Sequence, residues 1–340
     1  MKTKLKWGIL GTGKIARKFA SGLSESRTGQ LVAVGSRTAD AAEKFAAEFP
    51  CTAHANYDAL LADANVEVVY ISTPHPMHAE WAIKTARAKK HILCEKPFTM
   101  NVAEAVPVVE AAKRSGVFLM EAFMYRCHPQ TEKLVELIRS KTIGEVRLIQ
   151  ASLSFDAAYD LDWRMFNKSL GGGGILDVGC YPCSMARLIA GAAVDKAFDD
   201  PVEVLGCAEI GAESRVDEYA VASLKFGSGI LAQLNCGVRL AMENTVRIWG
   251  TKGCIVVPSP WFAAHGAGFS KIIIFKGGVP DEVVVETDRG LYALEADHVA
   301  AHIAARQAPA MPWGDTLGNM HTLDAWRKSV GLAYDADKAR

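Results

Sequence analysis

The chain has 340 residues, half of them hydrophobic and 22% charged, an ordinary globular make-up with length enough for two domains that each bury a core. Its 38 basic and 38 acidic residues cancel, which removes the electrostatic case for a nucleic-acid or anionic-membrane partner. No apolar run reaches the ~18 residues of a membrane span, and the first strand pattern begins too early to leave room for a secretory leader.

That strand is Leu5-Lys6-Trp7-Gly8-Ile9-Leu10. Apolar residues then recur at helical spacing through Ile15, Phe19 and Leu23. Between them stands Gly11-Thr12-Gly13-Lys14-Ile15-Ala16, the strand–turn–helix context of a dinucleotide fingerprint. Gly11 permits the tight turn, Gly13 lets backbone approach a pyrophosphate, and Ala16 keeps helix and strand close. The helix N-terminus would face the phosphates. The second strand, Leu31 to Gly35, runs into Ser36-Arg37 where NAD-preferring sites place an acidic residue. A hydroxyl followed by a guanidinium suits a 2′-phosphate instead, so NADP is expected over NAD.

Strand and helix then alternate: a helix over 41–49, a short strand at 52–53, a helix over 57–61 and a strand over 66–71. A helix carrying Trp81, Ala82, Thr85 and Ala86 follows, then a strand over 91–94, a helix capped by Asn101 and Glu104, and a strand over 117–120. Pro107 should kink or shorten that last helix. This is the pattern of a doubly wound parallel sheet, in which ligands sit at strand carboxyl ends. Thr73-Pro74-His75-Pro76-Met77-His78 and Glu95-Lys96-Pro97 lie at two such ends. The first domain is expected over 1–122 and the second over 123–340.

Periodicity changes in the second part. After a helix near 131–139, period-two runs at 146–155, 202–210, 218–226, 229–238, 245–249, 253–257, 271–275 and 283–286 point to a large, mostly antiparallel open sheet. Helices are expected near 176–189, 295–306 and 320–332. An open sheet of this size needs cover on its second face, and a partner subunit would supply it, giving a homodimer or homotetramer. Eight cysteines are scattered, several inside apolar strands such as Cys94 and Cys236, which reads as reduced thiols in a cytoplasmic protein. No metal-ligand spacing stands out.

The most distinctive stretch is Gly171-Gly172-Gly173-Gly174-Ile175-Leu176-Asp177-Val178-Gly179-Cys180-Tyr181-Pro182. Four glycines imply backbone pressed against a ligand or another loop. Asp177 and Tyr181, four apart, would share a helix face, with Pro182 in its first turn or two. Cys180-x-x-Cys183 has the spacing of a thiol–disulfide motif, but it overlaps this stretch and lacks a second pair for zinc.

With these motifs in this order, the chain resembles the glucose-fructose oxidoreductase/inositol dehydrogenase (Gfo/Idh/MocA) family. The resemblance rests on Gly11-x-Gly13-x-x-Ala16, Thr73-Pro74-x-x-x-His78, Glu95-Lys96-Pro97, Met124-Tyr125-Arg126-x-His128-Pro129 and the glycine-rich stretch. It implies an oxidoreductase that moves hydride between a nicotinamide cofactor and a sugar, polyol or diol, with Lys96 catalytic. Tyr181, where inositol dehydrogenases have His, is similar to the dihydrodiol dehydrogenase, NADP-dependent xylose dehydrogenase and glucose-fructose oxidoreductase branch. The resemblance also implies cofactor contacts from Trp163, Arg164 and Tyr292, and substrate contacts from Lys96, Arg126, Asp177 and Tyr181. A Lys96 ammonium near Tyr181 would lower the phenol's pKa and make it a base; Lys96 could equally carry the proton itself, with Asp177 orienting it. Loops 156–168 and 261–268 are expected to shape the substrate site. Carbonyl reduction of the 1,5-anhydrofructose reductase type and non-catalytic NADP sensing are the alternatives.

Overall fold

A computed structural model describes residues 4–263 and 266–338. Residues 264 and 265 of the second expected substrate loop lie outside the described residues. The first sheet contains β1 (Leu5–Leu10), β2 (Gly29–Gly35), β3 (Thr52–His54), β4 (Val68–Ile71), β5 (His91–Glu95) and β6 (Leu119–Ala122). They lie in the order β3-β2-β1-β4-β5-β6, every pair parallel. The direction of winding reverses between β1 and β4, so a crevice opens beyond their carboxyl ends. Helices α1 (Lys14–Glu25), α2 (Ala39–Glu48), α3 (Tyr57–Ala62), α4 (His78–Arg87) and α5 (Val102–Ser115) supply the crossovers. Cover on both faces explains why β4 is buried at all four residues and reads as continuously apolar. Ala16, Phe19, Ala20 and Leu23 form the buried stripe of α1.

Helix α5 runs through Pro107 without interruption. Pro107 and residue 103, whose carbonyl loses its helical partner, are both exposed, so that carbonyl is open to solvent, and the proline neither ends nor shortens the helix. Asn101 caps α5 as expected by accepting from the Glu104 N–H, but the Glu104 carboxylate accepts from the Met100 N–H instead of closing back on Asn101.

After α6 (Pro129–Arg139) comes the second sheet, with β7 (Val146–Ser154), β8 (Pro201–Ile210), β9 (Asp217–Phe226), β10 (Leu231–Gly237), β11 (Val246–Gly250), β12 (Gly253–Val257), β13 (Gly268–Lys276) and β14 (Val279–Thr287). Its order is β14-β13-β12-β11-β7-β10-β9-β8. Only β7 and β10 pair in parallel; the other pairs are antiparallel. Helix α7 (Cys180–Ala192) packs on one face, over β7 and β10. The other face carries Leu205, Tyr219, Val221 and Leu231, all more than two-fifths exposed.

Helices α8 (Leu291–His302) and α9 (Trp313–Ser329) return to the first sheet's side of the molecule. α8 packs against α1, and α9 against α5. Residues 306–313 cover the β6 edge, where Leu119 N–H donates to Arg306 O and its carbonyl accepts from Trp313 Nε1. The start of α9 at Trp313 lies well before the expected 320. Buried polar residues Asp315, Thr316 and Asn319 occupy its inward face and hide the apolar period.

Candidate active site

Three segments converge beyond the first sheet's carboxyl ends: the turn after β1, the loops after β4 and β5, and the glycine-rich run that leads into α7. At the first, Gly11 adopts φ +104°. A Cβ there would stand 3.0 Å from the Ser72 carbonyl oxygen, so only glycine fits. A Cβ on Gly13 would meet nothing within 4 Å, and α1 begins with no capping side chain and no acidic residue. Its first N–H groups and positive dipole end therefore face open space, which fits a pyrophosphate. Ala16 is buried beneath, Ile15 is half-buried, and the Thr12 carbonyl accepts from Arg17 Nη1. Ser36 is buried at the end of β2, while Arg37 is exposed and has no ion pair among the described residues.

The loop after β4 is fixed by two buried histidines. His78 has Nε2 at 2.9 Å from the Thr73 carbonyl and Nδ1 at 2.9 Å from the Pro97 carbonyl, tying the β4 loop to Glu95-Lys96-Pro97. Burial pulls its pKa down to about 4 against the opposing pull of those carbonyls. His75 lies 3.0 Å from the Gly171 carbonyl through Nδ1, which makes Nδ1 the donor and leaves Nε2 as acceptor. Arg164 Nη1 sits 3.3 Å from that nitrogen. Burial, then the Arg164 charge, keep His75 neutral. Both histidines thus join loops and position their neighbours.

Lys96 stands at the centre. Its Nζ donates to the Asp177 carbonyl at 2.7 Å and lies 3.6 Å from Asp177 Oδ1. The same Oδ1 is 2.8 Å from Arg164 Nη1 and 3.7 Å from His75 Nε2. One carboxylate thereby gathers two cations in a nearly dry place. Burial opposes each charge, but their mutual attraction prevails: Lys96 is held above the usual lysine range, and Asp177 well below the carboxylate range. Glu95 accepts from the Tyr70 hydroxyl and from Lys96 N–H; burial raises its pKa despite the Lys96 charge.

The backbone that presents Asp177 is irregular. Residues Ile175–Gly179 form one wide π-type turn before α7, a geometry often found at functional sites. The wide turn means Asp177 and Tyr181 do not lie one above the other on a regular helix, as their spacing implied. Pro182 does fall in the first turn of α7. The glycines press against neighbouring loops: a Cβ on Gly172 would collide with the Arg164 and Met165 carbonyls, and one on Gly173 with Asp217.

Tyr181 departs from expectation. Its ring packs edge-on against Phe123 and Trp261, with centroids 5.2 and 5.7 Å away. Its hydroxyl points to Met124 Sδ at 3.5 Å. Lys96 Nζ sits 5.0 Å from the ring centre, an approach to the π face and not to the oxygen. Burial, followed by the Glu95 charge, pushes the phenol well above its ordinary pKa. The expected lowering by Lys96 is overturned, because burial outweighs a cation that approaches the ring.

Arg126 is corrected too. Its guanidinium donates to Ala310 O, Ser184 O and Oγ, and Asp315 Oδ2 at 2.5 Å. Asp315 also binds Arg187 and is fully buried. Four of the five Arg126 N–H groups are committed to this buried network. Arg164, expected on the cofactor, meets Asp177 and His75 through Nη1. Trp163 is exposed, with Lys14 Nζ 6.0 Å from its ring, so loop 156–168 leans over the glycine turn. Tyr292 is half-buried between α8 and α1, above Gly22. Burial and the Glu95 and Glu295 charges raise its phenol.

The sequence did not single out three neighbours of the site. Trp261, inside an expected substrate loop, donates to Ser152 O at 2.8 Å and walls the aromatic pocket with Tyr125 and Tyr181. Glu295 is fully buried on α8, and neither oxygen has a hydrogen-bond partner among the described residues. Asp217 lies behind the glycine run. An acidic residue inside an apolar run is the signal that could have marked Glu295; Asp217, between Val216 and Glu218, carries none. Among the described residues no His/Cys/Asp/Glu cluster could hold a metal, and the eight cysteines are free. Cys180 and Cys183 are buried with raised thiol pKa values, the opposite of a reactive pair.

Residues 5–123 match the model of an oxidoreductase family with an NAD-binding Rossmann fold, and residues 131–256 match the Gfo/Idh/MocA C-terminal domain. The chain belongs to this family. Its relatives include the zebrafish (Danio rerio) trans-1,2-dihydrobenzene-1,2-diol dehydrogenase, 34% identical over 98% of this chain and 99% of that one. The D-xylose 1-dehydrogenase (NADP(+)) 2 of Haloferax volcanii is 30% identical over 98% and 100%. Among solved structures, a 3-ketoreductase from Actinomadura kijaniata in complex with NADP and TDP-benzene superposes with a TM-score of 0.87 at 27% identity, covering 96% of this chain and 98% of that one. As a member of the Gfo/Idh/MocA family the chain is an oxidoreductase, and no helix among its described residues is long and apolar enough to cross a membrane.

Proposed function

We propose that the protein is an NADP(H)-dependent oxidoreductase that interconverts a hydroxyl and a carbonyl on a sugar-like or diol substrate, with Lys96 as proton carrier. The observation that carries this reading is the Lys96 ammonium, held charged by Asp177 beside the open turn of α1. The relatives' names support both cofactor and substrate class: one uses NADP on D-xylose, another acts on a dihydrodiol.

The cofactor, when bound, supplies the hydride chemistry at its nicotinamide. The pyrophosphate would rest on Gly11, Gly13 and the N-terminus of α1; Ser36 and Arg37 would hold the 2′-phosphate. Thr73, Pro74 and Glu95, at the ends of β4 and β5, would meet the cofactor between that turn and Lys96, with Trp163 and Lys14 over it. In carbonyl reduction, Lys96 Nζ donates its proton to the substrate oxygen as hydride reaches the carbon, and a new C–H and O–H bond result. In oxidation, the substrate O–H proton passes to the neutral amine. A charged Lys96 favours reduction at neutral pH and oxidation at higher pH. Asp177 keeps the ammonium charged and aimed, while its carbonyl holds one of the three Nζ protons. Tyr181 serves as an apolar wall that keeps the ammonium face dry. Its hydroxyl, turned toward Met124, has no place in the transfer.

A second copy of the chain covering the Leu205, Tyr219, Val221 and Leu231 face gives the homo-oligomer we also propose. The catalytic reading is tested by releasing and identifying any nucleotide carried by the purified protein, then screening aldoses, polyols and diols with NADP⁺ and NAD⁺. Turnover with NADP⁺ supports it. NADP binding with no turnover across the panel, in either direction, would favour a sensor.

A further inference from the structure

The wide turn that presents Asp177 is held from behind by a carboxyl that never meets the crevice. Asp217, the first residue of β9, is fully buried. Its Oδ2 accepts the Ile175 N–H at 2.5 Å. Its Oδ1 lies against Gly173, filling the place a Cβ would need. One residue earlier, the Tyr334 hydroxyl donates to the Gly172 carbonyl at 2.5 Å. The run Gly172–Ile175 is thus clasped from the second sheet and from the chain's last turn. Two residues on, Asp177 gives its carbonyl to Lys96 and its carboxylate to Arg164.

We propose that Asp217 is a positioning residue for the reaction: its carboxylate fixes the Gly173–Ile175 turn that aims Asp177 at Lys96. This rests on the role given to Lys96 and Asp177 above. Asp217 acts through Ile175 and touches neither substrate nor cofactor.

The groups facing Asp217 are the Tyr334 hydroxyl, the Cys236 thiol on β10, the Arg327 guanidinium on α9 and the turn's own N–H groups. Arg327 is already committed to Asp324, Asp337 and the Met100 carbonyl. Among the described residues no ion pair balances Asp217; backbone N–H groups and the Arg327 charge stabilise its anion. Burial pushes its carboxyl up to about 7, opposed by the Ile175 N–H. As an anion it accepts the Ile175 N–H on Oδ2, while Oδ1 is left without a donor among the described residues; as an acid it loses the charge that draws the turn's N–H groups. The clasp should tighten as pH rises through neutrality.

Asp217→Asn in the full chain keeps the size and one acceptor but removes the charge. Two readouts apply. Amide hydrogen exchange over residues 173–178 reports the turn directly and needs no substrate. Wild-type protection should step up as pH crosses about 7, beyond the intrinsic pH dependence, and Asp217→Asn should lose that step. In steady-state assays, wild-type kcat should rise through the same pH, while Asp217→Asn should show kcat lower by about ten-fold or more and flat there. KM and NADP(H) affinity should stay within about three-fold, the split expected of a group acting on the chemical step. A variant with wild-type kcat and an intact limb near neutrality overturns the proposal, as does wild-type exchange with no step. Should the variant fail to fold, the wild-type exchange experiment decides alone. A protein that turns over nothing but shows the exchange step refutes the enzymatic reading while keeping the clasp.

Discussion

Asp177→Asn is the perturbation that most exposes the electrostatics of the site. Asp177 Oδ1 lies 3.6 Å from Lys96 Nζ, and the two side chains are only 5% and 13% exposed. At an effective dielectric of ~20, two unit charges at that distance attract by about 4–5 kcal/mol. Arg164 shares the carboxylate at 2.8 Å, so the part felt by Lys96 is smaller; even half, about 2 kcal/mol, is roughly 30-fold in the protonated fraction of a titrating amine. In the variant, burial still disfavours the ammonium, and Arg164 now repels it without compensation. Lys96 should lose its proton at lower pH than in the wild type. The assay is NADPH consumption with a carbonyl substrate, followed from neutral to alkaline pH. Wild-type kcat should hold on the alkaline side, whereas Asp177→Asn should begin to fall at a lower pH than the wild type. The oxidative direction should suffer less, because it needs the neutral amine. Superimposable profiles for the two proteins would refute the claim that Asp177 sets the charge of Lys96.

Four further outcomes follow from the same geometry. Tyr181→Phe removes a hydroxyl whose partner is a thioether sulfur, so kcat should stay within about ten-fold of wild type; a loss of ~10³-fold would return the proton to the phenol. Arg37→Ser should weaken NADP(H) binding by about 10–100-fold and leave NAD(H) nearly unchanged, since a charge-assisted bond to the 2′-phosphate contributes about 1.5–3 kcal/mol; calorimetric titration with both cofactors checks it. If a second copy covers the open face, as proposed, Leu205→Glu combined with Val221→Lys, two exposed positions on it, should give a smaller species than the wild type by light scattering with little effect on the fold. Buried Glu121 is raised from 4.5 to about 8 by burial. Its neutral form stabilises the fold at low pH, and that stability is lost as pH rises toward 8. Glu121→Gln should flatten the melting temperature across this range, read by calorimetry.

Much of the fold was legible because each element carried its own period. The first sheet's strands read as unbroken apolar runs since helices cover both faces, and those of the second alternate since one face stays open. What misled was local. The apolar period of α9 is masked by Asp315, Thr316 and Asn319, of which Asp315 answers to Arg126 and Arg187 across the core and Asn319 to the Cys180 carbonyl. No sequence pattern reveals a buried ion network between segments so far apart. The same network explains why Arg126, sitting in a recognisable motif, is structural. At the site, Lys96, Asp177, His75 and Glu95 came together as their motifs implied, because strand ends and the glycine run fix where they point. The orientation of Tyr181 was not legible. Spacing placed it near Lys96, but only the packing of Phe123, Trp261 and Met124 shows that its ring, not its oxygen, meets the ammonium. Asp217 went unread because it contributes only through backbone hydrogen bonds to a distant turn.

The central claim is that Lys96 moves the proton. Lys96→Met, which keeps the stem and removes the ammonium, tests it most directly in the reductive assay with NADPH affinity measured beside it. The account predicts a fall in kcat of about 10²–10⁴-fold, the range for loss of a general acid, with cofactor affinity changed by less than about three-fold. A Lys96→Met protein that retained kcat within about ten-fold of wild type would contradict it.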